Sequence, residues 1–273
     1  MSKQWSDELT VFTRAFAGAA VFGIPFVFTA EMWGIGQRMS LRNLLVVVGI
    51  GMMANVLLGY VGGFRTNYSF RKAIDQAIDA FAVGVVGAAI LMLALNQWTP
   101  VHGLTHGVGV VLFMAVPLSL GASVAREVFS ETAGREAEDT SEYSTGKAVM
   151  ADALATIIGG LFIGVSVAPT DEVEMITGGI TTIHLLIIVG LSLFLSYLIV
   201  FASGFDEVDV QGPFQHPLTE TVLAYVISLS VALALLLVFE GTTMDDPLND
   251  IIEHTIVLAL PVSIGGAGGR LVV

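Results

Sequence analysis

Thr29 and Glu31, and again Thr170 and Glu172, set a hydroxyl and a carboxylate two residues apart, each just beyond a helix-disturbing element. The element is Gly23-Ile24-Pro25 in the first case and Pro169 in the second. Proline has no amide hydrogen and leaves a carbonyl one turn back without its donor. A freed carbonyl, a hydroxyl and a carboxylate are hard oxygen donors, the kind that suit cations. Thr29, Glu31, Thr170 and Glu172 are therefore candidate ion-binding residues. The plainer reading is two carboxylates at a water interface beside helix ends, where charge costs little.

Histidines form a second group. His102 and His106 are four apart and share one helix face. That is the histidine spacing of a zinc helix, but Gly103 stands where a metalloprotease needs its glutamate, which argues against a zinc protease. Glu253 and His254, with Asp245, Asp246 and Asp250 nearby, add further ligands. His102, His106, Glu253 and His254 could thus hold a divalent metal or sense protons, since imidazole titrates near neutral pH. Polar residues at a wet helix end are the competing reading.

Asp75, Asp79 and Asp152, together with Arg14 and Glu220, form the third group. Asp75 and Asp79 share a helix face, and Asp79 falls nearly two turns into an apolar segment. These residues read either as a proton or cation relay or as ion pairs with Arg14, Arg71 or Lys72 that lower the cost of burial. No phosphate loop, Rossmann fingerprint or nucleophile elbow occurs, and the identity of any cofactor is left open. Cysteine is absent, which removes disulfides, thiolate metal sites and thiol nucleophiles. No acid/base pair is specific enough to suggest an enzyme.

The elements that must position these groups follow from composition. The 273 residues are 55% hydrophobic and only 13% charged, with mean hydropathy +0.82. A soluble domain carries roughly 25% charged residues, so much of this surface must face lipid. A spanning helix needs about 20 mostly apolar residues. Eight segments qualify: Val11–Trp33, Leu41–Gly62, Ala73–Leu95, Val101–Ala125, Ala148–Ala168, Thr181–Ser203, Thr219–Glu240 and Leu248–Arg270. The expected fold is an all-α polytopic membrane bundle. With 11 Lys+Arg against 24 Asp+Glu, no basic patch for nucleic acid exists. Acidic loops with lysine only at 3, 72 and 147 suggest a salt-adapted organism.

Positive residues set the expected orientation. Lys3, Arg14, Arg65, Arg71, Lys72, Arg126, Arg135, Lys147 and Arg270 fall on the side shared by both termini, and only Arg38 and Arg42 fall on the other. Both termini are thus expected in the cytoplasm. The two Thr/Glu pairs, and His102, His106, His184 and His254, then lie at the outer face. No cleavable signal is expected at the N-terminus, where Asp7 and Glu8 precede the first apolar segment.

The chain also resembles itself. At an offset of 141, Gly18, Gly23, Thr29, Glu31, Gly49, Gly63 and Phe64 meet Gly159, Gly164, Thr170, Glu172, Gly190, Gly204 and Phe205. Beyond a three-residue insertion the offset becomes 144, and Pro117, Ser119, Gly121 and Arg126 meet Pro261, Ser263, Gly265 and Arg270. This predicts two tandem four-helix repeats, 1–126 and 148–273, joined by an acidic cytoplasmic linker, 127–147. An even helix count makes the copies parallel, and sites in repeat-built transporters tend to lie at the repeat interface. The repeated Pro-x-Ser-x-Gly-x-x-x-x-Arg reads mainly as structural. Proline bends the helix, serine meets a freed carbonyl, and arginine complements the helix C-terminus. A shared gating hinge is the alternative.

The stretch FTRAFAGAAVFGIPFVFTAEMW from Phe12 to Trp33, and Ala168-Pro169-Thr170-Asp171-Glu172, resemble a family of prokaryotic integral membrane proteins of unknown function. Its most specific positions here are Pro25, Thr29, Glu31 and Trp33, then Pro169, Thr170 and Glu172. The resemblance covers most of the chain. It implies membrane residence, with the lipid bilayer as partner, and brings no activity. The residues point to a channel or secondary transporter for a proton or metal ion. A non-transporting scaffold or a sensor of pH or salt is the alternative, and the oligomeric state is left open.

Overall fold

The computed structural model describes residues 3–62, 70–98, 104–132, 145–202 and 216–271. Among them are ten α-helices and no strand: α1 (Lys3–Val27), α2 (Ala30–Arg38), α3 (Leu41–Gly62), α4 (Phe70–Ala94), α5 (Leu104–Thr132), α6 (Thr145–Val167), α7 (Glu172–Thr177), α8 (Thr182–Tyr197), α9 (Pro217–Val238) and α10 (Leu248–Arg270). A π-helical turn, Leu198–Ala202, extends α8. Eight of the ten are long and apolar enough to cross a bilayer; α2 and α7 are the short ones. Leucine, isoleucine and valine occupy all faces of the long helices, so their outward sides meet lipid. Phe162 on α6 is 81% exposed, and Leu45, Ile50, Met53 and Leu57 stand out along α3.

The first apolar segment, expected as one span from Val11 to Trp33 with a helix-disturbing element at Gly23-Ile24-Pro25, is two helices. Pro25 sits in the last turn of α1, and Thr29 is extended (φ −132°, ψ 107°). Side chains then supply the donors that the interrupted backbone withdraws. The Thr29 hydroxyl donates to the Pro25 carbonyl at 3.0 Å, which the Thr29 amide would serve in a continuous helix. The buried Trp33 indole donates to the Val27 carbonyl at 2.7 Å. In the later segment the Thr170 hydroxyl donates to the Val167 carbonyl at 2.6 Å, and the short α7 follows. Helix starts are capped by small devices. Ser40 accepts from the Asn43 amide at 3.3 Å, and His216 accepts from the Leu218 amide at 3.3 Å. His184 accepts from the Thr181 amide at 3.3 Å, which gives this histidine a capping role.

The chain divides into two compact units, Met1–Glu136 and Ala137–Val273. In the first, α5 is the hub, packed by α1, α4, α3 and α2. Its span is 61% buried, against 17% for α3. Small residues bring the backbones together. A Cβ added to Gly121 would stand 2.8 Å from the Gly18 carbonyl oxygen, and Gly23 lies against Leu118. Asn55 on α3 is 1% exposed. Its amide donates to Ser119 Oγ at 2.9 Å and to the Gly51 carbonyl at 3.0 Å, and it accepts from the Ser123 hydroxyl at 2.6 Å. Helix α4 ends on Asn96 with φ 53°, and the amides of Gln97 and Trp98 both donate to the Met92 carbonyl (2.8 and 3.2 Å).

In the second unit α10 is the hub, packed by α6, α9, α8 and α7, with its span 67% buried. A Cβ on Gly265 would stand 2.5 Å from the Gly159 carbonyl oxygen, and Gly164 lies against Val262. The Ser196 hydroxyl on α8 reaches the Ser263 carbonyl at 3.4 Å. Helix α9 ends on Glu240 with φ 59°, and the amides of Gly241 and Thr242 both donate to the Leu236 carbonyl (2.9 and 3.4 Å).

Pro117 and Pro261 lie inside the hub helices, as expected. The serines behave differently from the expectation. Ser119 donates to the Val116 carbonyl at 2.7 Å and Ser263 to that of Leu260 at 2.9 Å. The carbonyls that proline leaves without a donor belong to Phe113 and Val257, one turn before each ring. A two-atom side chain reaches back three residues, to a carbonyl three positions beyond the freed one.

Candidate functional site

At the first candidate pair, helix-end closure already uses the Thr29 and Thr170 hydroxyls as donors. Glu31 is exposed on the first turn of α2, where the helix dipole favours an anion. Glu172 differs. It opens α7, which packs on α10, and only 8% of the residue is exposed. Half-buried His254 and Glu253 lie near the start of α10. The His254 Nδ1 is sealed from solvent and has no hydrogen-bond partner among the described residues.

Asp246, in the turn before α10, accepts from the Thr243 amide at 2.6 Å and the Thr242 hydroxyl at 3.1 Å. The amide bond first, then the hydroxyl, hold its carboxyl below the ordinary value, and the nearby His254 adds to the effect. Desolvation opposes them and loses, because the group remains in contact with water.

The other end of α10 carries an ion cluster. Arg270 Nη2 donates to Glu220 Oε2 at 2.6 Å and stands 3.6 Å from Asp152 Oδ2. The arginine side chain is 5% exposed, Glu220 14% and Asp152 45%. The guanidinium also lies 5.4 Å from the centre of the Phe201 ring, a cation–π contact. Its Nε is sealed and has no hydrogen-bond partner among the described residues. Beside the cluster is a cavity of about 20 Å³, lined by Asp152, Thr156, Glu220 and Arg270 among others. That is room for about one water molecule. Three helices build this site: α6 gives Asp152, α9 gives Glu220 and α10 gives Arg270.

Between these two ends lie buried hydroxyl groups on three helices that pack together: Ser192 and Ser196 on α8, Tyr225 and Ser228 on α9, and Thr255 and Ser263 on α10. From His254 to Arg270, at 1.5 Å per residue, α10 covers about 24 Å, most of a bilayer's hydrocarbon thickness.

The remaining candidates are placed as follows. Asp75 and Asp79 are both exposed, on a face of α4 that the first unit's own helices leave uncovered. His106 is exposed near the start of α5, and His102 lies outside the described residues. Among the described residues no three His, Asp or Glu side chains gather as a metal site.

A family model described as Putative integral membrane protein (DUF2391) matches residues 11–273. The chain belongs to that family. Membership agrees with eight membrane-length helices, and makes this DUF2391 chain a multi-pass integral membrane protein in contact with the lipid bilayer. No curated protein and no solved structure matches it.

Two features of this DUF2391 chain escaped sequence reasoning. Arg270 was read as a dipole partner and topology anchor, and its pairing with Glu220 and Asp152 was not foreseen. The signal was present, since all three occupy one side of the membrane in the expected topology. Asn55 was overlooked altogether. An amide inside the apolar run from Leu44 to Leu58 is itself a sign of an interhelical bond.

Proposed function

We propose that the protein carries a small cation, in the first instance the proton, across the bilayer as a channel or secondary transporter, with the path in the second unit. One observation carries the reading: ionisable side chains are held within the bundle at both ends of α10, buried Glu172 with half-buried His254 at one and the buried Arg270 guanidinium with half-buried Glu220 at the other. Ionisable groups held inside a membrane bundle mark ion or proton pathways. In this reading Glu220 exchanges a proton with the cytoplasm. Proton uptake neutralises the carboxylate that holds Arg270, and the guanidinium falls back on Asp152. At the other end Glu172 and His254 exchange protons with the outer solution. A proton is favoured over a metal ion because the described carboxylates and imidazoles come singly or in pairs. No enzymatic step is assigned.

The same proposal takes the two units as tandem parallel copies with both termini cytoplasmic. Several facts support it beyond sequence similarity. The hub of each unit is its last long helix, and the remaining helices pack on it in the same pattern. Gly18–Gly121 corresponds to Gly159–Gly265, Gly23–Leu118 to Gly164–Val262, and Asn55–Ser119 to Ser196–Ser263. Asn96 and Glu240, 144 residues apart, are the two non-glycine residues with positive φ among those described.

The test is proton flux into liposomes carrying the purified protein, read with an entrapped pH-sensitive dye under an imposed gradient. Wild type should dissipate the gradient, and Glu172→Gln and Glu220→Gln should each lose most of the flux while Glu31→Gln keeps it. Equal flux in wild type and both buried-site variants would remove the assigned path. No flux under any gradient would leave the sensor reading, in which the same groups report pH without conduction.

A further inference from the structure

We infer that the first unit holds an anionic phospholipid in a groove beside α2, α3 and α5, independently of any cation path. The groove has a volume of about 600 Å³. Its polar rim is Gln37, Arg38 and His106, and its apolar wall includes Leu44, Val108 and Leu112. The rim and wall are ordered by depth. Arg38 ends α2, and His106 stands at the start of the membrane-length part of α5. Leu44 lies one turn inside α3 and Leu112 nearly two turns further along α5. The groove therefore passes from cationic and hydrogen-bonding groups at the membrane boundary to hydrocarbon below it, the profile of a phospholipid head and tail.

The site is built rather than accidental. Gly36 of α2 and Gly109 of α5 cross so closely that a Cβ on Gly109 would stand 2.5 Å from the Gly36 carbonyl oxygen. That crossing fixes α2 against the hub and forms the floor. Arg38 is oriented by its own helix, with Nε donating to the Gly34 carbonyl at 3.0 Å, which leaves its terminal nitrogens for a ligand. Charge selects the ligand. In a chain of net charge −13, the sequence places only Arg38 and Arg42 as cations at this end of the spans. Arginine matches phosphate oxygens by its planar fork, and the His106 ring adds a hydrogen-bond donor. A zwitterionic lipid would bring a second cation to the same place.

The experiment is native mass spectrometry of the full chain, released from nanodiscs of equal phosphatidylglycerol and phosphatidylcholine. The protein should retain phosphatidylglycerol preferentially. Arg38→Gln should lower that retention by about fivefold, the effect of one cation near an anionic headgroup. Val108→Trp should do the same by filling the apolar wall with the rim intact, and Arg42→Gln should leave retention unchanged. Equal retention of the two lipids would overturn the inference. So would equal losses in Arg38→Gln and Arg42→Gln, which would mark general surface attraction. If free glycerol 3-phosphate displaces the lipid from the wild type as well as short-chain phosphatidylglycerol does, the groove reads a soluble phosphate and the lipid assignment fails.

Discussion

Replacing Arg270 by methionine leaves Glu220 in a nearly closed space without its cation. The two side chains are 5% and 14% exposed and 2.6 Å apart, so this is a buried pair. Breaking such a pair from one side costs about 3–5 kcal/mol, mostly the penalty of the stranded charge. Loss of the Phe201 contact adds about 0.5–2 kcal/mol. Asp152 is 45% exposed and a full ångström further off, so solvent screens it and Asp152→Asn should cost under about 1 kcal/mol. The decisive variant is Arg270→Met with Glu220→Met. Removing both charges relieves the stranded carboxylate and should recover most of the loss, with a coupling of about 2–3 kcal/mol. Reversible unfolding in mixed dodecylmaltoside and dodecylsulfate micelles, followed by loss of helical circular dichroism, measures each arm of the cycle. If the double variant loses the sum of the two single losses, the residues act independently and the pairing is wrong.

Three further outcomes follow from other features. Glu240→Gly should stabilise the protein by about 1 kcal/mol, because it removes a side chain from left-handed backbone at φ 59°; Asn96→Gly should gain less, since asparagine tolerates that region, and thermal unfolding distinguishes the two. Asn55→Ala should cost about 1–2 kcal/mol in the same unfolding assay, the loss of an interhelical bond plus a small cavity. Asp246 is held below its ordinary value of 3.8, so its bonds stabilise the folded state above that pH and cease to do so as pH falls through the lowered value. The melting-temperature difference between wild type and Asp246→Asn should therefore be present at neutral pH and vanish in strong acid; a difference that grows on acidification refutes the assignment.

The eight spans were legible because lipid imposes a length and a composition that few other environments demand. With the π-helical turn counted in α8, their ends from Leu41 onward lie within three residues of those expected, except that α5 runs on to Thr132, past the expected Ala125. The disturbance before Thr29 was legible from Pro25, but the full break at Phe28 was not, since Thr29 and Trp33 close it through side-chain bonds to the backbone that no hydropathy pattern contains. Glu172 was picked out by its spacing from Pro169, but its burial depends on how α7 lies against α10, which is a matter of packing. Glu31 has the same local sequence signal and remains exposed. Arg270 shows the opposite failure. A helix-end arginine is normally solvated, so a local rule gave it an ordinary role that three-helix packing supersedes.

In each unit the helix that all others pack against is the last to be synthesised. Until α5 leaves the ribosome, Gly18, Gly23, Gly51 and Gly84 lack the hub they pack against, and Asn55 has no serine to bond. The first unit can therefore complete its packing only once its last helix is made. Its completion precedes the hub of the second unit by 144 residues of translation, the offset between Ser119 and Ser263. A stalled chain released before α5 would expose an amide and bare backbone to lipid, which is the kind of substrate that membrane quality control removes.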